Sequence, residues 1–177
     1  MGVKRKKSET TDKPKEKTAG ISLHDEIKYK AANWLKRHKS NIRVPNCPTI
    51  VADLVSLNTT GEVPDVIGWN SYLSVLIEVK VSRNDFLKDN KKRFRQFGEF
   101  GMGDLRFYCC PKGMIKPEEL PEKWGLLYYN EKKRIEFIKP AEKQDANLVS
   151  ERGILLSVIR RLKKDLEMRI VKSLNQY

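Results

Sequence analysis

Two carboxylates and one lysine carry the clearest chemical signal in the chain. Asp65 lies in Glu62-Val63-Pro64-Asp65-Val66-Ile67-Gly68-Trp69, and Glu78 and Lys80 lie in Leu76-Ile77-Glu78-Val79-Lys80. Side chains alternate along a strand, so Glu78 and Lys80 share one face while Ile77 and Val79 share the other. A hairpin turning near Ser71 and Tyr72 pairs residues symmetrically about the turn and sets Asp65 opposite Glu78. Two carboxylates and an ammonium then converge on one face of a sheet, which is costly unless something compensates the charge. A divalent cation does so: paired carboxylates are a hard-oxygen site suited to Mg²⁺ (or Mn²⁺), and Mg²⁺ usually keeps several waters for exchange. Lys80 beside it would orient or help deprotonate an attacking water and offset charge on a phosphate. The competing reading is an edge strand whose solvated Glu and Lys face a turn-forming Asp.

The bare spacing of an acid, any residue and a lysine is not distinctive. It recurs in Glu26-Ile27-Lys28, Asp89-Asn90-Lys91 and Glu131-Lys132-Lys133, but only the Glu78 copy sits in an apolar strand one hairpin after a Pro-Asp opening. Asp53, on the preceding strand, is a competing acid. Other chemistries find less support. Cys47, Cys109 and Cys110 form no CxxC pair and only His24 and His38 could add imidazoles, so the cysteines read as buried reduced thiols. No serine stands in a G-x-S-x-G frame. His24 falls on the apolar side of a helix and reads as a packed histidine.

The elements that must position these residues follow from periodicity. Ser22, with Asp25 three residues on, starts a helix whose buried face is Leu23, Ile27, Ala31, Trp34 and Leu35. Glu26 falls about 110° from the centre of that face, on its margin. Strands are expected over Thr49 to Leu57, Val63 to Trp69 and Ser74 to Val81, with turn chemistry at Asn58 to Gly61 and Trp69 to Tyr72. Ser82 caps a basic helix from about Asn84 to Phe97, ended by Gly98, Gly101 and Gly103. In it Phe86, Leu87, Phe94 and Phe97 read as core. A strand over Leu105 to Cys110, a hairpin over Leu126 to Tyr129 and Arg134 to Ile138, and an amphipathic helix from Leu148 to about Leu174 complete the chain. That last helix carries Leu155, Ile159, Leu162, Leu166 and Ile170 on one stripe, which packs on the domain or pairs two copies. The order predicts a mixed α/β domain over 21–140, preceded by a disordered basic tail over 1–20 and followed by the helix of 141–177.

The 177 residues carry 36 Lys and Arg against 23 Asp and Glu, a net +13 that favours a polyanionic partner, nucleic acid or an anionic membrane surface. No apolar run approaches the roughly 18 residues of a spanning helix, and the N-terminal stretch lacks a signal-peptide core. The expected location is therefore cytoplasmic. The tail, the basic helix and the segment from Glu151 each hold +4 of the excess. In the basic helix Arg83, Lys88, Lys91, Lys92 and Arg95 stand directly behind Lys80, placed for phosphates flanking a scissile bond.

Asp65 followed by Glu78-x-Lys80, after a helix bearing Glu26, resembles the PD-(D/E)xK phosphodiesterase superfamily with its restriction-endonuclease-like αβββαβ core. The closer resemblance is to the MmcB-type family of DNA-repair endonucleases, whose Asp strand, Glu-x-Lys strand and Ser-Arg-x-Asp-Phe run are mirrored in Asp65, Glu78-Val79-Lys80 and Ser82-Arg83-Asn84-Asp85-Phe86. Lys91, Asp104 before Phe107-Tyr108, Pro111, and Leu120-Pro121-Glu122 leading to Gly125-Leu126 extend it over roughly residues 49 to 139. The resemblance implies a Mg²⁺-dependent endonuclease acting on DNA through a metal-activated water. It implies that Asp65, Glu78 and the Val79 carbonyl hold the metal, with Glu26 as an auxiliary acid, and that Lys80 serves the water. The basic tail and the C-terminal helix have no counterpart in that family pattern.

Overall fold

A computed structural model of the chain describes residues 20–37, 44–54 and 61–174. The expected basic tail, except Gly20, and the Asn58–Thr60 part of the first turn lie outside the described residues. So do His38 and Val55 to Leu57, the end of the first expected strand.

Helix α1 spans Leu23–Arg37. Ser22 caps it: its hydroxyl accepts the Asp25 N–H at 3.1 Å and donates to the Asp25 carboxylate at 2.7 Å. Strands β1 (Thr49–Ala52), β2 (Val66–Trp69) and β3 (Ser74–Val79) follow as an antiparallel run. Strands β4 (Leu105–Pro111) and β5 (Gly125–Tyr129) add in parallel, and β6 (Ile135–Lys139) closes the edge antiparallel. The six strands lie in chain order in one mixed sheet, so the expected α/β class holds.

Alternation along β3 divides the core. Val75, Ile77 and Val79 face α1, meeting Ile27, Ala31 and Leu35. Leu76 faces the other layer with Phe86, Tyr108, Trp124 and Ile154. Burying each of these large apolar side chains contributes roughly 1.5–3 kcal/mol. Gly68 lets α1 come close: a Cβ there would meet Cys47 Cβ at 2.8 Å and Leu35 Cδ2 at 2.9 Å. Leu23, expected in the buried face of α1, is instead 48% exposed at the first turn.

The basic helix is not continuous. Helix α2 (Arg83–Asp89) stops at Asn90, Lys92 is extended, and a single turn, α3, covers Arg93–Gln96 before a 3-10 turn at Gly98–Phe100. In an uninterrupted helix Asp89 and Arg95, six residues apart, would point about 120° apart. The break lets both reach one buried cluster. Of the four apolar residues expected in core, Phe86 is buried and Phe94 partly so, but Leu87 and Phe97 are 52% and 51% exposed.

Helix α4 spans Leu148–Leu174 and is docked by a buried carboxylate. Glu151 accepts from Trp69 Nε1 at 2.8 Å, Ser74 Oγ at 2.7 Å and the Gly103 N–H at 2.8 Å. Gly103 adopts φ +85°, and a Cβ would strike Leu76 Cβ at 2.6 Å, so glycine alone suits this turn. Ile154 is buried, yet Leu156, Ile159 and Leu162 stand exposed; the side chains of Leu166 and Ile170 lie outside the described residues. Among the described residues no helix is long and apolar enough to cross a membrane.

Candidate active site

The register Val66↔Ile77 sets Asp65, just ahead of β2, opposite Glu78. Asp65 Oδ2 accepts the Val79 N–H at 2.8 Å, tying its carboxylate to the end of the Glu78-Val79-Lys80 strand. Pro64 has no N–H to offer the ladder, so β2 starts where the acid stands. Glu78 and Lys80 share the face opposite Val79, as alternation requires, and both are buried. Lys80 Nζ lies 3.4 Å from Glu78 and 3.3 Å from Asp89.

Asp89 and Arg95 complete a buried charge cluster that spacing alone did not reveal. Arg95, expected on a nucleic-acid surface, is instead turned inward with its side chain 1% exposed. Its guanidinium pairs with Glu62, with Glu78 at 2.7 Å and with Asp89 at 2.8 Å. The Glu78 contact lies off the hydrogen-bond axis and is held by charge. Asp89 also accepts the Tyr108 hydroxyl at 2.7 Å and meets Lys92 at 2.6 Å. Glu62 accepts the Met102 N–H at 2.7 Å. The signal for this cluster was present only as a flanking acid, Glu62, and two charges within a basic helix.

Burial sets the protonation behaviour. Desolvation pushes the Glu78 carboxyl up to about 7, Arg95 opposing it and Asp65 adding to it. Burial also penalises ionised Asp89, but Arg95 and Lys80 outweigh this and hold it below the usual carboxylate range. Burial draws Lys80 down, yet Glu78 and Asp89 prevail and keep its pKa above the ordinary lysine value. So held, the Lys80 ammonium is placed to orient a water or stabilise an oxyanion.

The remaining expected residues divide by location. Glu26 is not brought to Asp65; its carboxylate accepts from Tyr129 at 2.8 Å and Lys133 at 2.9 Å, and those bonds lower its pKa. The α1 residue that does reach Asp65 is His24, read from sequence as packed, with Nε2 3.4 Å from Asp65 Oδ1 and its side chain 34% exposed. Asp53 is drawn aside by Lys28 at 2.6 Å. Arg83 grips Glu119 at 2.8 and 2.6 Å, pinning α2 to the loop before β5. Lys88 and Lys91 are exposed, and Lys92 is half-exposed beside Asp89. The three cysteines are buried free thiols, Cys47 pushed up to about 12 by desolvation.

Asp65, Glu78 and the Val79 carbonyl are hard oxygen donors at one strand end, and the mutual repulsion of the two acids is what a divalent cation relieves. Among the described residues no group of three or more His, Cys, Asp and Glu side chains forms a ready-made metal cage. Two carboxylates and a carbonyl still fit Mg²⁺, which is commonly bound by one or two protein acids with waters filling the remaining positions.

No family model matches the chain. No curated protein matches it either. Among solved structures it is similar to a protein of unknown function from Silicibacter pomeroyi, with a TM-score of 0.57 and 23% identity over 81% of this chain and 90% of that one. At that identity the likeness concerns the fold: an α/β domain whose six-stranded mixed sheet is flanked by helices.

Proposed function

We propose that the protein is a metal-dependent endonuclease of the PD-(D/E)xK type, with a restriction-endonuclease-like core, hydrolysing phosphodiester bonds in DNA. The observation that carries this reading is the Asp65 carboxylate bonded to the Val79 N–H, which sets it beside the Glu78-Val79-Lys80 strand end. Asp65, Glu78 and the Val79 carbonyl would hold Mg²⁺ or Mn²⁺, which when bound supplies Lewis acidity and a more acidic water. Lys80, charged and anchored between Glu78 and Asp89, orients the nucleophile and offsets the negative charge that builds on the phosphate. Lys88 and Lys91, exposed on the segment that follows, hold the DNA backbone without reading bases. On this reading the activity serves DNA repair, as the MmcB-type resemblance implies, or else mobile-element biology.

The experiment is plasmid nicking with Mg²⁺, Mn²⁺ or EDTA, repeated on single-stranded and flap substrates. Metal-dependent cleavage lost in Asp65→Ala and Lys80→Ala is expected; no cleavage on any substrate, or full activity of Lys80→Ala, contradicts the reading.

One observation favours a second reading, a nuclease-type domain that only binds nucleic acid. Glu62, Glu78 and Asp89 are already matched by Arg95, Lys80 and Lys92, so that cluster is neutral without a cation. That reading predicts salt-sensitive gel shifts untouched by Asp65→Ala, with no cleavage under any metal.

A further inference from the structure

The two oxygens of Glu78 have different neighbours. Oε1 lies 2.7 Å from Arg95 Nη2 in a contact of charge, whereas Oε2 accepts a hydrogen bond from Lys80 Nζ at 3.4 Å. Arg95 is itself held through Nε, Nη1 and its face. Its Nη1 pairs with Glu62, its Nε donates to Asp89 Oδ2 at 2.8 Å, and its plane lies 4.8 Å over the Trp124 ring. Those partners are anchored in turn, Glu62 by the Met102 N–H and Asp89 by the Tyr108 hydroxyl. A guanidinium offers its donors in a rigid planar fork, so fixing its other edges also fixes the edge that meets Glu78.

Two simpler roles fit poorly. With its side chain 1% exposed, Arg95 does not reach a phosphate outside the fold. As a counterion alone it would need one carboxylate, yet three surround it, with Lys80 and Lys92 paired beside them. Burying these charges together is costly, and the pairing geometry that offsets the cost holds Arg95 in one orientation.

We propose that Arg95, held by Glu62 and Asp89, is a positioning residue for Glu78: it fixes the direction of the carboxylate that would share a divalent cation with Asp65. This rests on the metal-dependent reading above. The break between α2 and α3 serves the same end, because it turns Arg95 inward beside Asp89.

The test is calorimetric titration of Mn²⁺ into the full chain, metal-free, for wild type, Arg95→Ala and Glu62→Gln. Arg95→Ala is expected to weaken Mn²⁺ binding about tenfold or more, the usual effect of losing a partner that orients a metal ligand. Low-millimolar guanidinium is expected to recover most of that loss, which a merely destabilised fold would not show. Glu62→Gln, which keeps Arg95 but loosens its hold, is expected to weaken Mn²⁺ severalfold at an unchanged circular dichroism spectrum. Folded Arg95→Ala that binds Mn²⁺ as wild type does, or that guanidinium fails to restore, overturns the inference and leaves the metal-dependent reading standing. Should Arg95→Ala not fold, wild-type affinity in Glu62→Gln overturns it equally. Wild type that binds no Mn²⁺ removes the reading and the inference together.

Discussion

Glu78 and Asp89 are buried acids with opposite titration behaviour, and the pH response of the molecule follows from the pair. Glu78 is raised from 4.5 to about 7, so the native state favours its protonated form. That contribution is fully present below the unfolded value and is lost as pH rises through about 7, a change on the order of 3 kcal/mol. Thermal melts of the metal-free protein should therefore weaken between pH 5 and 8, and Glu78→Gln should flatten that slope. Mn²⁺ needs the ionised carboxylate, so its affinity should strengthen over the same interval. Asp89 acts at the other end: held below its unfolded value, it stabilises above about pH 4 and loses that contribution as pH falls further. Lys80, whose pKa Glu78 and Asp89 raise, acts as a cation, and Lys80→Met should remove activity while leaving Mn²⁺ binding within severalfold of wild type.

Among the elements, α4 depends most on one side chain. Glu151 accepts three hydrogen bonds, from Trp69, Ser74 and Gly103, in a buried position. Glu151→Ala leaves the Trp69 and Gly103 donors unpaired, while Ser74 keeps Asp104, and should destabilise the fold by roughly 2–4 kcal/mol in urea unfolding. The β2–β3 hairpin was legible from residue types, because alternation and turn symmetry determine which side chains oppose each other; Asp65 and Glu78 follow directly. Helix α1 was equally legible from its cap and its Ile27, Ala31 and Leu35 spacing. The break at Asn90–Lys92 was not. Local propensity favours one helix there, and the tertiary pairing of Asp89 with Lys80 and Tyr108, and of Arg95 with Glu62 and Glu78, ends it. His24 was missed for a similar reason: its approach to Asp65 depends on how α1 seats over Gly68, which no periodicity encodes.

At the scale of the whole molecule the net +13 sits outside the buried charge cluster, which is neutral in itself. Binding to DNA should accordingly fall steeply with salt, and Lys88→Ala and Lys91→Ala should each reduce the slope of log affinity against log salt by about 1. Ile159 and Leu162 of the expected stripe stand exposed with Leu156 beside them, which favours pairing of two copies over packing of that stretch on the domain. Sedimentation velocity should then give a dimer that Leu162→Asp returns to monomer. Asp65, Glu78 and Lys80 are put to the test together most directly by nicking of supercoiled plasmid in Mn²⁺. We predict conversion to open circles by wild type, blocked by EDTA and by Asp65→Ala; an equal yield of open circles from Asp65→Ala, or none from wild type, would contradict it.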